Sequence, residues 1–301
     1  YPFRLQCEQR VLTRMADELA RRTANLEVAY GAELTGLVQD EGGVTATVQT
    51  AHGTETIRAR YLVAADGARS ICRKLTGMTF SGETYPETTI LATTPFRFED
   101  HLPGLSNVNY VWCEQGTFSL LRLPEIWRCS LYSDPDESIE QALEPAAIER
   151  KLQRIVPRSA PYEVVAIRPY RIHRRLVDDY RAGRVLFAGD AAHLTSPSGG
   201  MGMNGGIHDA VNLSDKLIAV IKEGASEDLF DLYTRQRRPV AEEEIIAQSH
   251  ANRTRMQKRD PAWRDAEMAR LQALIADPVQ HREHLLKSSM ISGLARAAAV
   301  Q

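Results

Sequence analysis

The sequence is poor in cysteine and has no long apolar run, and each absence argues against a class of protein. Its four cysteines include no C-x-x-C pair, which argues against a disulfide scaffold and a structural zinc site. No apolar segment approaches the roughly 18 residues needed to cross a bilayer, and residues 1–22 are amphipathic rather than built like a signal peptide. We therefore predict reduced, mostly buried thiols, no membrane partner and a cytoplasmic location.

Neither sign of charge is in large excess. The chain carries 37 Lys and Arg against 39 Asp and Glu, so no general attraction to nucleic acid is expected. Hydrophobic residues make up 43% of the chain and charged residues 25%, which is typical of a folded globular protein. At roughly 100 to 200 residues per domain, the 301 residues predict about two domains.

Apolar spacing predicts the order of secondary structure. A helix is expected over Cys7–Arg22, then a small antiparallel meander and a buried strand over Tyr61–Ala65. A second sheet is expected from strands at 88–98, 107–113, 117–123 and 127–132. A helix at 137–156 and strands at 162–172 and 184–188 follow. Beyond Gly205 the pattern is helical, with prolines 239, 261 and 278 at breaks or helix starts.

The strongest chemical signal follows the strand at 184–188. The strand runs into Gly189-Asp190-Ala191-Ala192-His193, and glycines recur at 199, 200, 202, 205 and 206. Glycines let a large planar group lie against bare backbone, and a helix starting near Asn204 presents unpaired N–H groups and a partial positive charge. The backbone near Met203 is therefore suited to an anion or an electron-rich carbonyl, and Asp190 to hydrogen bonds from a ribityl chain.

Residues of this segment also have simpler interpretations when each is taken alone. An isolated Asp190 is more often a turn or capping residue, and an isolated His193 is more often structural. Gly200, Gly202 and Gly205 match the spacing of the dinucleotide fingerprint, but that motif needs its first glycine directly after a strand. Only the combination of strand end, acid and glycine-rich loop favours a cofactor site.

Two segments together carry a resemblance to a known family. The earlier segment is Ala64-Ala65-Asp66-Gly67-Ala68-Arg69-Ser70 with Arg73, and the later one runs from Gly189 to Leu213. Two sequence motifs of one enzyme family occur in this same order. The two segments resemble the GD and DG motifs of the FAD-dependent aromatic hydroxylases, the para-hydroxybenzoate hydroxylase fold family, and are similar to its 3-(3-hydroxyphenyl)propionate hydroxylase branch. The resemblance implies an oxidoreductase, a flavin-dependent monooxygenase that hydroxylates a phenolic or other activated aromatic substrate with NAD(P)H and O2.

The resemblance also implies roles for individual residues. The backbone at Pro197 would face the substrate, while Met203 and Asn204 would stabilise negative charge on the reduced flavin, so these three are the predicted catalytic positions. A weaker match, Gln6-x-Glu8, implies that Gln6 contacts the flavin. The predicted cofactor-binding residues are Gln6, Asp66, Gly67, Arg73, Gly189, Asp190, Gly199, Gly200, Gly202, Met203 and Asn204, and no metal ligand is predicted.

The second sheet is expected to cover one side of the substrate-binding site. Several of its side chains are able to line an aromatic pocket or to pair with a carboxylate. For each of them the alternative is an ordinary core position or a solvated surface position. The predicted pocket residues are Tyr110, Trp112, Phe118, Arg122, Arg128 and Tyr170.

The fold class implied is α/β (α+β), an FAD/NAD(P)-binding three-layer fold with an inserted, mainly antiparallel substrate sheet and a helical C-terminus. We expect an FAD-binding domain at 1–77 and 184–235, a substrate domain at 78–183 and C-terminal helices at 236–301. The family has a βαβ unit with G-x-G-x-x-G before the position of Tyr1, and this sequence does not contain it. We therefore expect the chain to be the later part of a longer protein and to bind FAD weakly alone.

Other functions stay open at this point. A flavin reductase or dehydrogenase could use the same scaffold, and a non-catalytic fragment without FAD is a third interpretation. The choice between NADH and NADPH, the particular aromatic substrate and the formation of a homodimer are not determined by these residues.

Overall fold

The computed structural model describes residue 5, residues 7–113 and residues 116–301, without the side chain of Cys113. Gln6, predicted to contact the flavin, lies outside the described residues. The chain divides into two compact units, residues 1–60 and 61–301. Across the part of the chain that is described, no helix combines the length and apolar character needed to span a bilayer.

The first unit contains one helix and a small antiparallel sheet. Helix α1 is Gln9–Ala20, and the strands are β1, Glu33–Asp40, β2, Gly43–Thr50, and β3, Gly53–Ala59. Strand β2 lies between the other two and buries Val44, Ala46 and Val48 at alternate positions, as the two-residue period of a strand requires. The predicted meander is confirmed.

The second unit begins with a strand that pairs across a long stretch of sequence. Strand β4, Leu62–Ala64, runs parallel to β11, Val185–Phe187, and the edge strand β10, Arg181–Ala182, is antiparallel to β11. All three side chains of β11 are buried. The pairing brings the two chain segments that carry the motifs to the same edge of one sheet.

The stretch between β4 and β11, together with β12 beyond β11, forms an antiparallel sheet of six strands. They are β5, Phe80–Thr94, β6, Val108–Cys113, β7, Gly116–Arg122, β8, Trp127–Leu131, β9, Ala166–Val177, and β12, His193–Leu194. Their order is β12-β9-β5-β8-β7-β6. The strand predicted at 162–172 therefore starts later and extends further than the apolar pattern indicated.

One face of this sheet is covered by two helices. Helices α3, Ile139–Ala142, and α4, Pro145–Ile155, pack on a buried cluster that includes Ile90, Leu120 and Cys129. A single helix was expected at 137–156, and that expectation is wrong. Pro145 begins the second helix because proline has no N–H to donate and its ring clashes inside a helix, so it belongs in the first turn.

The C-terminal third is helical, as predicted. The helices are α5, Gly202–Lys222, α6, Asp228–Val240, α7, Ala247–Gln257, α8, Pro261–Ala276, α9, Pro278–Ser288, and α10, Ile291–Ala299. A π-helical stretch, Ala241–Ile246, joins α6 to α7 directly after Pro239. A proline inside a helix disturbs the regular hydrogen bonds, and a π turn is one way of absorbing that disturbance.

The cysteines match the expected pattern in part. Cys72 and Cys129 are buried, whereas Cys7 is exposed. Burial raises the pKa of both the Cys72 and the Cys129 thiol to about 12. These two thiols therefore stay protonated and unreactive at neutral pH.

Candidate functional site

The first motif lies directly after β4 and is shaped by a short helix, α2, Ile71–Leu75. Ser70 caps this helix by accepting a hydrogen bond from the N–H of Arg73 at 2.9 Å. Asp66 accepts a hydrogen bond from the N–H of Cys72 at 3.1 Å. Burial alone would raise the pKa of Asp66, but hydrogen bonds from Ser70 and Cys72 outweigh it and hold the pKa below its usual value. Asp66 is thus an ionised, partly fixed carboxylate.

Arg73 connects the first motif to the second. Its guanidinium donates to the carbonyl oxygen of Ala68 at 2.7 Å and to that of Ala191 at 2.9 Å. The same group lies over the ring of Phe80, 3.7 Å from the centroid. Arg73 is only 7% exposed, so its guanidinium holds the two motifs together. Direct contact between Arg73 and a cofactor remains a prediction.

The second motif follows β11 beside the first. Gly189 has a φ of 59°, in the left-handed region that favours glycine, and starts a 3₁₀ turn, Gly189–Ala191. The carboxylate of Asp190 is exposed and makes no hydrogen bond with the described part of the chain. A turn or capping acid bonds to nearby N–H groups, and Asp190 does not. Its carboxylate is therefore free to contact a ligand.

A buried carboxylate lies behind this turn. Asp209, on α5, accepts hydrogen bonds from His193 Nε2 and Arg237 Nε, each at 2.8 Å, and from the N–H of Gly189 at 3.1 Å. All three side chains are at most 1% exposed. Burial would raise the pKa of Asp209, but the charge and hydrogen bonds of His193 and Arg237 lower it below its usual value. The simpler interpretation of His193, a structural histidine, agrees with these contacts.

The glycine-rich loop leads into the start of α5. Gly199 and Gly200 have φ values of 106° and 68°, and the N–H of Gly200 donates to the carbonyl of Pro197 at 3.0 Å. The helix begins at Gly202, so the first-turn N–H groups of residues 202–204 have no partner within the helix. Asn204 donates its side-chain amide to the carbonyl of Gly200 at 2.8 Å. Asn204 therefore shapes the loop with its side chain and offers a ligand its backbone.

Close packing explains two more glycines. A Cβ on Gly206 would lie 3.1 Å from the Cα of Gly189, and one on Gly205 would lie 3.2 Å from His193 Cε1. Such distances are shorter than ordinary van der Waals contact. The absence of side chains at these two positions lets the start of α5 pack closely against the end of the second motif.

Helix α7 holds the glycine-rich loop in place. Ser249 hydrogen-bonds to Thr195, and Asn252 donates to the carbonyl of Ser198 at 3.3 Å. The same helix reaches the sheet, where His250 hydrogen-bonds to Tyr85 at 2.5 Å and Arg253 pairs with Glu87. None of these residues was singled out in the sequence, because a contact between segments about fifty residues apart leaves no local pattern.

The strand register divides the predicted pocket residues between two faces of the sheet. Tyr110 and Trp112 lie on one face of β6, and the phenol oxygen of Tyr110 accepts a hydrogen bond from the N–H of Gly199 at 3.2 Å. Register pairs Thr93 with Arg128 and Thr89 with Tyr170. Because side chains alternate along strands and paired residues share a face, Arg128 and Tyr170 lie on the loop-facing side with Tyr110.

Phe118 and Arg122 lie on the opposite face, which corrects their placement in the pocket. Phe118 is paired with Val111 and packs against the cluster beneath α4. Arg122 pairs with Glu99 at 3.3 Å. Ser119 is paired with Tyr110 and shares its face. Phe118 and Arg122 lie one and three residues from Ser119 on the same strand, so their side chains point to the other face. These two side chains therefore do not reach the loop.

The geometry combines an anion-binding helix start with a flat backbone surface and an aromatic roof. The first turn of α5, residues 202–205, contains no acidic side chain, so its partial positive charge is not neutralised locally. Planar, electron-rich molecules that acquire negative charge fit such a surface.

Comparison with known proteins adds a family to this geometry. The model of the FAD binding domain family matches residues 1–248. A para-nitrophenol 4-monooxygenase of Pseudomonas sp. (strain WBC-3) is 35% identical over 299 residues, which is 97% of this chain and 73% of that protein. The chain belongs to the FAD-dependent aromatic monooxygenases.

Two further comparisons agree with this assignment. This chain is 34% identical over 220 residues to a 3-(3-hydroxy-phenyl)propionate/3-hydroxycinnamic acid hydroxylase of Comamonas testosteroni. The match covers 72% of this chain and 37% of that protein. The crystal structure of a p-nitrophenol 4-monooxygenase from Pseudomonas putida DLL-E4 superimposes with a TM-score of 0.86 at 34% identity, covering 95% of this chain and 72% of that chain. The fold predicted from the two motifs is confirmed.

The residues of this monooxygenase fit FAD. A Cβ on Gly67 or on Gly200 would meet no atom within 4 Å, so the backbone of both motifs is bare toward open space, which suits a flat ring system. The exposed carboxylate of Asp190 is able to accept hydrogen bonds from ribityl hydroxyls. The N–H groups of Met203 and Asn204 would stabilise negative charge on the reduced ring. The individual contacts of these residues with FAD remain predictions.

Replacing Gly202 with valine is expected to weaken FAD binding by about tenfold, or about 1.4 kcal/mol. Gly202 has no positive φ, but a Cβ there would lie 3.3 Å from Thr195 Cγ2. Two further methyl groups would push Thr195 and the loop away from α5. A fluorescence titration with FAD measures the change. Ala210→Val, at an exposed position of the same helix, is the control, and equal affinities of both variants and the parent would contradict the prediction.

Proposed function

We propose that the protein carrying this chain hydroxylates a phenolic or other activated aromatic compound, using NAD(P)H as reductant and O2 as co-substrate. The observation that carries the proposal is the contact between Tyr110 and Gly199. It places the side-chain face of the sheet directly over the loop at the start of α5. A substrate between these two surfaces would lie against the flavin-binding backbone.

The chain's residues would perform four tasks in this reaction. When bound, FAD accepts a hydride from NAD(P)H and activates O2, which is chemistry that no side chain supplies. Asp190 would bind the ribityl chain, and the start of α5 would stabilise negative charge. The backbone at Pro197 would position the substrate, and the sheet with α7 would exclude water.

The relatives support a phenolic substrate. One of them is named for para-nitrophenol and another for 3-(3-hydroxy-phenyl)propionate. Both names describe a phenol with a second polar group on the ring or its side chain. Aromatic side chains on the loop-facing side of the sheet, Tyr110 and Trp112, also support a substrate that contains an aromatic ring.

An assay of coupled oxidation tests the proposal. The complete purified protein that carries this chain is expected to show a flavin spectrum and to consume NADH or NADPH and O2 faster when a phenol is added. Mass spectrometry of the product should show one added oxygen atom. Reductant consumption that no phenol changes would favour a flavin reductase or dehydrogenase. Absence of a flavin spectrum after incubation with FAD would favour a non-catalytic role.

Several finer proposals accompany this function. We also propose that residues 1–77 and 184–235 bind FAD, that residues 78–183 form the substrate domain, and that the protein forms a homodimer. A cytoplasmic location is supported by the low cysteine content. Gel filtration with light scattering would determine the number of chains in the assembly.

A further inference from the structure

The glycine-rich loop begins with a β-turn whose central peptide joins Ser198 to Gly199. The N–H of Gly200 donates to the carbonyl oxygen of Pro197 at 3.0 Å, and this bond closes the turn. Gly199, the third residue of the turn, has a φ of 106°, whereas the φ of Ser198, the second residue, is not positive. A positive φ at the third residue alone is the signature of a type II turn.

The sequence of this turn also permits a second form. Type I and type II turns differ by a rotation of the central peptide by about 180°. Glycine at the third position allows both, because its φ is able to be positive or negative. The rotation would exchange the sides to which the Ser198 carbonyl and the Gly199 N–H point. Contacts around the turn therefore select its form.

Both polar groups of the central peptide have a partner. The N–H of Gly199 donates to the phenol oxygen of Tyr110 at 3.2 Å. On the other side, the carbonyl of Ser198 accepts a hydrogen bond from Asn252 Nδ2 at 3.3 Å. A phenol hydroxyl is able to donate and to accept. Tyr110 is therefore compatible with either form and does not select between them.

Arg255 fixes which end of the Asn252 amide faces the turn. A guanidinium only donates, and Arg255 Nη1 donates to Asn252 Oδ1 at 2.9 Å. Arg255 is itself held by Glu267 on α8, at 2.7 Å. Hydrogen bonds from Arg270 and Arg255 hold the pKa of Glu267 at about 2 against the effect of burial, so this carboxylate stays ionised. Asn252 thus presents only its N–H groups to the turn and favours the form whose carbonyl faces α7.

The form of the turn sets the partial charge that the loop presents to the sheet. In the present form the Gly199 N–H points to Tyr110 and carries the positive end of the peptide dipole. In the rotated form the carbonyl of Ser198 would point there with its negative end. The activated phenol proposed as substrate is electron-rich, so the N–H is the more favourable neighbour.

We propose that Asn252 is a positioning residue of the substrate site: its amide, oriented by Arg255, holds the central peptide of the turn with the Gly199 N–H toward the sheet. This inference rests on the proposed function, since it concerns the binding of the same phenol. Asn252 acts through the turn. Helix α7, which is distant in sequence from both the loop and the sheet, thereby contributes to the affinity for the substrate.

Two replacements of Asn252 test the inference by calorimetric titration of the complete protein that carries this chain, with FAD bound and without reductant. Asn252→Asp keeps the size of the side chain and an acceptor for Arg255, but it offers the turn an acceptor and favours the rotated peptide. It should weaken the binding of 4-nitrophenol about tenfold. Asn252→Ala only removes the donor and should weaken binding about threefold. A role in packing alone would give the opposite order, because alanine removes more of the side chain.

A crystal structure of Asn252→Asp gives a readout that does not depend on the reaction. We expect the carbonyl of Ser198 to point toward Tyr110, the N–H of Gly199 to donate to the introduced carboxylate, and the φ of Gly199 to be negative. A peptide in its original orientation would overturn the inference. Weaker binding by Asn252→Ala than by Asn252→Asp would also overturn it.

Two further variants on α7 serve as controls. Ala251→Ser, at an exposed position, should bind 4-nitrophenol as the parent does. Arg255→Ala frees the Asn252 amide to rotate, so it should weaken binding about threefold and add nothing in the double variant with Asn252→Ala. Losses that multiply in the double variant would show that Arg255 acts independently of Asn252, and would overturn the inference.

The outcomes separate this inference from the proposed function. If the parent hydroxylates a phenol but both variants of Asn252 bind that phenol as tightly as the parent, the inference is overturned and the proposed function stands. If the parent neither binds nor hydroxylates 4-nitrophenol, hydroquinone or 4-hydroxybenzoate, the proposed function is contradicted. The crystal structure of Asn252→Asp then still decides whether Asn252 sets the form of the turn.

Discussion

Replacing Asp209 with alanine is expected to lower the free energy of unfolding by about 3 to 5 kcal/mol. The change leaves the Arg237 guanidinium and the His193 ring in the interior without the carboxylate that they share, and it removes the acceptor of the Gly189 N–H. A buried charge left without its partner destabilises the fold by more than the intact ion pair stabilises it, because the charge is neither solvated nor paired. Urea unfolding of the variant and the parent measures the difference.

An exposed acid on the same helix supplies the control. Asp215→Ala should change the free energy of unfolding by less than about 0.5 kcal/mol. The buried acid also has a pH signature, because its pKa is lower in the folded protein than in the unfolded chain. Its stabilisation is complete above an unfolded pKa of about 3.9 and is lost as the pH falls through the lower folded value. In Asp209→Ala this part of the pH dependence of the free energy of unfolding should be absent. If the free energy of unfolding of the variant falls with acidic pH as steeply as that of the parent, the prediction is contradicted.

Replacing Asp190 with alanine is expected to weaken FAD binding about ten- to a hundredfold, or about 1.5 to 3 kcal/mol, the range for a hydrogen bond to a charged group. The exposed carboxylate makes no hydrogen bond with the described residues, so its removal should leave the melting temperature of the cofactor-free protein unchanged. Equilibrium dialysis with FAD and a melting curve give the two measurements.

The outcome separates a ligand-binding acid from a structural one. Asp178→Ala, at an exposed position of the same unit, should alter neither measurement. A fall in melting temperature with unchanged FAD affinity in Asp190→Ala would show that Asp190 stabilises its turn and does not contact the flavin.

The parts of the site that depend on neighbouring residues could be predicted from the sequence. A buried strand followed by an acid and glycines predicted a glycine-rich loop leading into a helix near Asn204, and the structure has the helix from Gly202. The break at Pro145 was also available, because proline after a polar residue is typical of a helix start. It was missed because the apolar spacing continues across it.

The parts of the site that depend on contacts between distant residues could not be predicted from the sequence. Alternation along β7 shows that Phe118 and Ser119 face opposite ways, but only the pairing with β6 shows which face meets the loop. Likewise, Asn252 reaches Ser198 across 54 residues, and nothing in either segment identifies the other. The glycine-rich loop and the sheet could therefore be located from the sequence. The strand register, and the contacts of α7 with both the loop and the sheet, could not.

The bond between Arg73 and Ala191 has a consequence for the order of folding. It joins residues 118 positions apart, and closing a long loop costs entropy before any contact across it forms. Five strands, β5 to β9, lie within that loop, and β5 pairs directly with β9, so we expect this pairing to shorten the loop and to form before β4 pairs with β11. The contact between the two motifs would then be completed last, and a ligand that binds only the folded chain would stabilise only molecules that have finished folding.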